Sequence, residues 1–221
     1  MESGHLSFRP RPSSGTNEGR DEPLGLEQVR DGVLYVPDTA EKNAPLILFL
    51  HGAGGTGRRE LRAVVAAADA VGAVVAAPDS RGPTWDIIVS QEFGPDVAFF
   101  DRVLDDVVDR VDVDTDHLAI GGISDGASYA LSIGVSNGDV FGSIVAYSPG
   151  FAVASETQGK PRIFISHGTQ DQVLPIDQCG RRLAHGLDGD GYDVTYLEFE
   201  GGHTVPPTVA EQGFRWWTSG A

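Results

Sequence analysis

A serine flanked by two glycines lies where the chain passes from an apolar segment into a run of small residues. Gly122-Ile123-Ser124-Asp125-Gly126 follows the apolar Leu118–Ile120 and leads into Gly126–Gly134. The apolar segment predicts a strand and the small-residue run predicts a helix. A serine on so sharp a turn projects above the sheet, at a helix N-terminus that favours a developing oxyanion. The pattern predicts Ser124 as a nucleophile. The alternative is an ordinary serine in a glycine-rich turn.

Two later strand ends carry the partners that such a serine needs. Asp171 comes shortly after the apolar run Ile163–Ser166, and His203 comes shortly after Val194–Phe199. A nucleophilic serine requires a general base, and the base requires an orienting carboxylate. Both side chains are expected on loops at the carboxyl ends of strands, where chemistry gathers in α/β sheets. The sequence therefore predicts a triad of Ser124, Asp171 and His203.

A glycine-rich loop admits two interpretations. Gly52, Gly54 and Gly57 satisfy the GxGxxG pattern after a buried strand, and Asp79 ends the following strand. That arrangement is typical of a dinucleotide site with a ribose-binding acid. However, at least one strand precedes the loop, whereas a dinucleotide fingerprint normally follows the first strand. The His51-Gly52 pair is instead common where an oxyanion hole is built.

Strands alternate with helices along most of the chain, which predicts a three-layer α/β sandwich with a mostly parallel sheet. The predicted strands are 32–37, 46–50, 74–77, 118–120, 144–147, 163–166 and 194–199. The predicted helices are 58–71, 97–111, 126–134, 176–187 and 208–217. Residues 1–23 are expected to be a flexible lead-in or an edge strand at Leu6–Arg9, and residues 24–221 a single domain.

The composition of the chain disfavours several classes of function. The 221 residues carry 32 acidic and 16 basic side chains, a net charge of −16, and a single cysteine, Cys179. The acid excess disfavours nucleic-acid binding and the approach of anionic substrates. It also resembles the composition of halophilic proteins. No apolar run is long enough for a membrane helix, and the start of the sequence lacks the apolar region of a secretory signal. We therefore predict a cytoplasmic protein, with no disulfide inside the chain.

Four segments together resemble the α/β-hydrolase superfamily. They are LILFLHGAGGTG, AIGGISDGASYAL, ISHGTQDQVLP and EFEGGH. Within the superfamily, the chain is similar to the small phospholipase/carboxylesterase group of predicted esterases. The order of Ser124, Asp171 and His203 along the chain is the order found in this fold. The resemblance covers nearly everything from Val33 onward and implies an α/β-hydrolase fold.

The resemblance also implies roles for individual residues. Ser124 would be the nucleophile, His203 the general base and then acid, and Asp171 its orienting carboxylate. The oxyanion donors would be the backbone N–H groups of Asp125 and Ala53, with Gly54 as a second choice. The expected substrate is a small carboxylic ester, with thioesters and lysophospholipids as further candidates. No cofactor is implied, and no histidine pair has the spacing of a metal site.

The length of the loops bears on substrate access. Residues 148–162 are too few for the cap that many lipases insert there, so a fold without a cap domain is expected. The longer loop from Asp79 to Pro95 carries Trp85, which either forms a pocket wall or packs the loop onto the core. Gly54 and Trp85 are therefore the candidate substrate-binding residues.

Three rival functions remain open at this point. An NAD-binding oxidoreductase would use the glycines at 52–57 together with Asp79. A binding protein with a hydrolase fold but no catalysis, and a small serine peptidase, are the other two. The sequence predicts neither the acyl and alcohol groups of the substrate nor the oligomeric state.

Overall fold

The computed structural model describes residues 4–220, which form one eight-stranded sheet with helices on both faces. The strands are β1 (Arg20–Pro23), β2 (Gly32–Val36), β3 (Ala44–Leu50), β4 (Val74–Pro78), β5 (Val113–Ile123), β6 (Ser143–Tyr147), β7 (Arg162–Gly168) and β8 (Val194–Phe199). The helices are α1 (Gly57–Val71), α2 (Asp86–Val89), α3 (Pro95–Arg110), α4 (Asp125–Ser136), α5 (Gly180–Gly189) and α6 (Pro207–Thr218).

The sheet is parallel except at one side. Its strand order is β1-β2-β4-β3-β5-β6-β7-β8. Strand β2 runs antiparallel to both β1 and β4, and all other neighbours are parallel. The predicted mostly parallel sheet is confirmed. Because β3 to β8 run in one direction, the loops that follow them meet at one edge, where ligands bind in such sheets.

The central strands are apolar on both faces because helices cover both faces. In β3, Leu46, Leu48 and Leu50 belong to the core shared with α3, α4 and α5. The alternate residues Ile47 and Phe49 belong to the core shared with α1 and α6. This alternation is why the continuous run 46–50 contains no polar position.

Helix boundaries follow from the local sequence. The Thr56 hydroxyl accepts the N–H of Arg59 and caps α1, which ends at Gly72 with a positive φ of 66°. Such a left-handed end strongly favours glycine. Helix α4 needs small residues because it lies against the sheet; a Cβ at Gly134 would lie 2.4 Å from Cδ1 of Ile144.

The segment before β1 lies along α3. Leu6 and Phe8 are buried in the core, and the backbone N–H groups of Ser7 and Phe8 both donate to the Asp101 carboxylate. Residues 6–9 form no strand, and the edge strand lies instead at Arg20–Pro23. The prediction of an edge strand at Leu6–Arg9 therefore misplaced it. Backbone bonds to a helix side chain hold residues 7 and 8, so no strand partner is needed there.

Neither of the two long connections, from β4 to α3 and from β6 to β7, adds a layer to the fold. Residues 148–161, between β6 and β7, contain neither helix nor strand, and residues 155–160 are all exposed. The connection from β4 to α3 contains only the four-residue helix α2. Within residues 4–220, the predicted lack of a cap domain is confirmed.

Among residues 4–220, no helix has both the length and the apolar character needed to cross a bilayer. The predicted cytoplasmic location stays a prediction.

Candidate active site

Ser124 occupies the sharp turn between β5 and α4 in a strained conformation. Its φ is 57° and its ψ is −117°, far from the angles that a residue with a side chain prefers. Glycines on both sides make the turn possible. A Cβ at Gly126 would lie 2.2 Å from the Leu50 carbonyl oxygen, and one at Gly122 would lie 2.6 Å from the same atom. The turn holds the Ser124 hydroxyl above the sheet, and its strained backbone costs of order 1–3 kcal/mol.

Three side chains form a continuous hydrogen-bonded series. Nε2 of His203 lies 2.9 Å from Oγ of Ser124, and Nδ1 of His203 lies 2.6 Å from Oδ2 of Asp171. The Asp171 side chain is fully buried, whereas that of His203 is 21% exposed. The structure thus brings together the three residues predicted as a triad, from loops that follow β5, β7 and β8. The arrangement allows His203 to accept the Ser124 proton.

The Asp171 carboxylate is held in its charged form. Its other oxygen accepts the backbone N–H groups of Val173 and Leu174, both at 2.9 Å. Burial raises the pKa of Asp171, but the Leu174 N–H, His203 and the Val173 N–H together lower it below the usual range. A permanent negative charge at this position would stabilise an imidazolium on His203.

A second histidine contacts the same carboxylate. Nε2 of His167, a fully buried side chain, lies 2.8 Å from the Leu174 carbonyl oxygen and 3.3 Å from Oδ2 of Asp171. Both neighbours are acceptors, so Nε2 carries the proton. The sequence alone does not connect His167 to Asp171. The four-residue spacing between the two was the available signal.

Two backbone N–H groups in the glycine-rich loop, those of Ala53 and Thr56, are left free within residues 4–220. The N–H groups of Gly52, Gly54 and Gly55 donate to Glu60, Pro83 and Gly52 respectively. The N–H of Ala53 makes no hydrogen bond within residues 4–220. The loop also passes beside Ser124, since a Cβ at Gly52 would lie 3.5 Å from Cβ of Ser124.

The second candidate donor, Asp125, is the first residue of α4. Its N–H is also free within the described residues, as expected at a helix N-terminus. Gly54, the second choice, is exposed and its N–H is engaged by Pro83. The geometry therefore favours Ala53 over Gly54 as the partner of Asp125 in an oxyanion hole.

The buried side chains of His51 and Trp85 hold the glycine-rich loop from its core side. Nε2 of His51 accepts the Ser80 N–H at 2.9 Å, so the remaining proton is on Nδ1, 2.8 Å from the Gly52 carbonyl oxygen. Burial lowers the pKa of His51 and keeps the ring neutral. The Trp85 indole N–H donates to the His51 carbonyl oxygen at 2.9 Å, and its ring stacks on Tyr129 of α4.

The Trp85 side chain is completely buried. It therefore packs beneath the glycine-rich loop and is not exposed at a pocket wall. Of the two interpretations of Trp85, the structure supports packing of the loop onto the core.

A pair of buried acids fixes the loop that carries Trp85. Asp96 accepts the backbone N–H groups of Arg81 and Asp86, while Asp86 accepts the Tyr129 hydroxyl at 2.6 Å and the N–H groups of Ile87, Gly94 and Asp96. Burial, with the nearby Asp86 charge, raises the pKa of Asp96 to about 6. Sequence reasoning missed this pair, because nothing in the local pattern of residues 86–96 distinguishes it from a surface loop.

Gly57 and Asp79, two of the residues considered for a dinucleotide site, serve the fold instead. The Asp79 carboxylate accepts the Gly57 N–H at 2.7 Å, and a Cβ at Gly57 would lie 1.8 Å from the Ala77 carbonyl oxygen. Gly57 is thus required by close packing of α1 against β4. Asp79 binds the helix N-terminus that a pyrophosphate would need. This geometry does not favour the NAD-dependent alternative.

Within residues 4–220, no group of three or more histidine, cysteine, aspartate or glutamate side chains is placed to hold a metal ion. The predicted absence of a cofactor and of a metal stays a prediction.

Comparison with solved structures identifies the architecture. A truncated carbohydrate esterase from gut microbiota matches with a TM-score of 0.72 at 15% identity, over 95% of this chain and 99% of that chain. The Bacillus cereus carboxylesterase matches with a TM-score of 0.68 at 18% identity, over 88% of this chain and 96% of that chain. The chain has the α/β-hydrolase fold. At these identities, the likeness concerns the α/β-hydrolase fold alone.

Curated relatives are distant. Feruloyl esterase C of Emericella nidulans is 23% identical over 220 residues, covering 83% of this chain and 80% of that protein. Three proteins named probable feruloyl esterase C, from Aspergillus niger, Aspergillus flavus and Aspergillus oryzae, are 26–27% identical, and the chain spans 60% of their length. No family model matches the chain.

Proposed function

We propose that this α/β-hydrolase-fold protein is a serine hydrolase that cleaves carboxylic esters. The observation that carries the proposal is the series from Ser124 through His203 to Asp171, with distances of 2.9 and 2.6 Å. A strained serine at a helix N-terminus, a partly exposed imidazole and a buried ionised carboxylate are the three requirements of nucleophilic acyl transfer. The esterase names of the relatives and structural neighbours support the same reaction.

The proposed reaction has two halves. His203 takes the Ser124 proton as Oγ attacks the ester carbonyl, and the resulting oxyanion accepts the N–H groups of Ala53 and Asp125. The intermediate collapses as the imidazolium gives its proton to the leaving alkoxide, releasing the alcohol and leaving Ser124 acylated. His203 then takes a proton from water, the hydroxide attacks the acyl group, and the acid leaves with Ser124 reprotonated.

The substrate is proposed to be a small, neutral ester. A net charge of −16 opposes the approach of anions. The site lies at a sheet edge without a cap domain, so we expect no strong activation by lipid interfaces. Because the curated relatives are named feruloyl esterases, hydroxycinnamate esters belong in the substrate panel. Short p-nitrophenyl esters, thioesters and lysophospholipids complete it.

The decisive experiment replaces the nucleophile. Ser124→Ala is expected to lower kcat on the best ester of the panel by several orders of magnitude, because the acyl-enzyme can no longer form. Labelling by a fluorophosphonate probe should disappear in the same variant. Ser219→Ala is the matched control, since Ser219 is exposed and lies just after α6. Its activity and labelling should equal those of the wild type.

Three results would contradict the proposal. Wild-type protein that neither hydrolyses any ester nor takes up the probe would indicate a binding protein with a hydrolase fold. Full activity in Ser124→Ala would indicate another nucleophile. Peptide p-nitroanilides cleaved faster than every ester would favour a serine peptidase.

A further inference from the structure

Two consecutive residues of the β4–α3 loop contact both sides of the candidate oxyanion hole. The Pro83 carbonyl oxygen accepts the N–H of Gly54 at 3.1 Å, on the residue next to Ala53. The Thr84 hydroxyl donates to Oδ2 of Asp125 at 2.7 Å. Pro83 and Thr84 therefore connect the glycine-rich loop after β3 with the first turn of α4. We call this pair the Pro83–Thr84 bridge.

An oxyanion hole depends on donors fixed before charge develops. The Ala53 N–H lies in a glycine-rich loop and the Asp125 N–H at a helix N-terminus, two elements separated by about seventy positions in sequence. Donors that must reorganise during the reaction lose much of their stabilising effect. A direct connection between the two elements keeps the distance between their N–H groups constant.

Asp125 also raises an electrostatic problem. The backbone N–H of Asp125 is proposed to donate to the oxyanion, yet the side chain of the same residue is a carboxylate. A negative side chain turned toward the hole would repel the developing charge, since like charges a few ångströms apart destabilise one another. The hydrogen bond to Thr84 directs that carboxylate to the β4–α3 loop.

The position of Thr84 is fixed by buried residues that follow it in the same loop. The residue that follows it, Trp85, is fully buried and donates to the His51 carbonyl oxygen. The buried Asp86 and Asp96 then bind the backbone on both sides of α2. The hydroxyl of Thr84 is thereby presented to Asp125 from a rigid loop.

We propose that Thr84 is a positioning residue for ester hydrolysis, which sets the oxyanion hole by holding the Asp125 carboxylate away from it. This inference rests on the proposed function, because it concerns the transition state of that reaction. It assigns to Thr84 an effect on transition-state binding with little effect on ground-state binding.

The test compares Thr84→Val, which has nearly the same shape without the hydroxyl, with Thr84→Ser, which keeps the hydroxyl. Thr84→Val is expected to lower kcat/KM about tenfold with KM nearly unchanged, a difference of about 1.4 kcal/mol. Its affinity for a trifluoromethyl ketone, which forms a tetrahedral adduct on the serine, should fall by the same factor. Thr84→Ser should remain within about twofold of the wild type.

A double-mutant cycle with Asp125→Ala distinguishes positioning from a general loss of structure. Without the carboxylate, the Thr84 hydroxyl has nothing to hold, so adding Thr84→Val to Asp125→Ala should change kcat/KM by less than about twofold. A tenfold loss in that background as well would overturn the inference, because it would show that the valine disturbs the loop itself. Equal activity of Thr84→Val and wild type would also overturn it.

These outcomes are separable from failure of the proposed function. If the wild type hydrolyses no ester and takes up no fluorophosphonate, the proposed function fails and the inference falls with it. If the wild type and Thr84→Val are equally active while Ser124→Ala is inactive, only the inference fails.

Discussion

The two halves of the candidate site are supported very differently. The oxyanion half, residues 51–57 and 79–96, lies over completely buried side chains that include His51 and Trp85. The acid–base half, residues 167–174 and 200–204, lies beside the edge strand β8, whose residues are all partly or fully exposed. Its acid, Asp171, and the neighbouring His167 are deeply buried, whereas the base, His203, is 21% exposed.

This difference corresponds to what each half does in the proposed reaction. Oxyanion donors stabilise charge only if they are fixed in advance, so a buried foundation serves them. The imidazole of His203 must exchange protons with an alcohol and then with water, so it needs access to solvent. We therefore expect changes in the acid–base half to affect activity far more than stability, and changes in the oxyanion half to affect both.

The largest effect is expected in the acid–base half. Asp171→Asn should lower kcat by about 10³–10⁴-fold, because the amide cannot stabilise the imidazolium or fix the tautomer of His203. Asp177→Asn is a suitable control, since Asp177 is exposed and pairs with Arg181 at the surface. Steady-state kinetics of both variants decide the matter. A loss below tenfold in Asp171→Asn would remove Asp171 from the proposed triad.

In the oxyanion half, we expect Trp85→Phe to lower both the stability and the activity, each by a moderate amount. Trp85→Phe removes the indole N–H that binds the buried His51 carbonyl oxygen, which should lower the free energy of unfolding by about 2 kcal/mol. It should also lower kcat about tenfold, because Ala53 lies two residues beyond His51 and loses its fixed position.

Trp216→Phe provides the matched control for that change. Its indole N–H also makes one hydrogen bond, to the Thr195 hydroxyl at 2.9 Å, but on α6 and away from the oxyanion loop. Steady-state kinetics should show little loss of kcat in this variant. Urea unfolding measures its stability for comparison with that of Trp85→Phe. If both tryptophan variants lose activity equally, the proposed link between Trp85 and the oxyanion loop is wrong.

The smallest effect is a difference in pH dependence between the halves. The pKa of Asp171 is lowered in the folded protein, so its contribution to stability is present above pH 4 and is lost as the pH falls further. The pKa of Asp96 is raised to about 6, so stability falls as the pH rises from about 4 to 6, by less than about 1.4 kcal/mol per pH unit.

Urea unfolding between pH 3 and 7 would measure both slopes. Asp96→Asn should flatten the decline between pH 4 and 6, whereas Asp171→Asn should flatten the acid limb below pH 4. An unchanged profile in Asp96→Asn would show that the pKa of Asp96 is not raised as the structure indicates.

The sequence predicts most strands and the loops that carry Ser124, Asp171 and His203, because both depend on local patterns; their function as a triad stays a prediction. Apolar runs such as 46–50 and 194–199 mark the strands within a residue or two of their observed bounds. Ser124 is recognisable because the turn requires the glycines on both sides of it, and His203 because it follows two glycines directly after a predicted strand. Asp171 is recognisable from its place on the loop after β7.

The support of the oxyanion half could not be predicted in the same way. The bridge from Thr84 to Asp125 joins residues 41 positions apart, and the buried pair Asp86 and Asp96 lies in a loop with no regular period. An aspartate on a loop is normally exposed, so nothing in its sequence context indicates burial. Trp85 was ambiguous for the same reason, since a loop tryptophan is equally compatible with a pocket and with the core.

The exposed stretch 155–160 between β6 and β7 divides the chemistry of the molecule in two. A chain cleaved there would carry Ser124 and both candidate oxyanion donors on one fragment and Asp171 with His203 on the other. Neither fragment alone has all three residues of the proposed triad, and the two meet where β7 pairs with β6 and where α6 packs against α1. Ester hydrolysis by the mixed fragments would therefore report on the reassembly of the β6–β7 strand pair together with the α1–α6 packing.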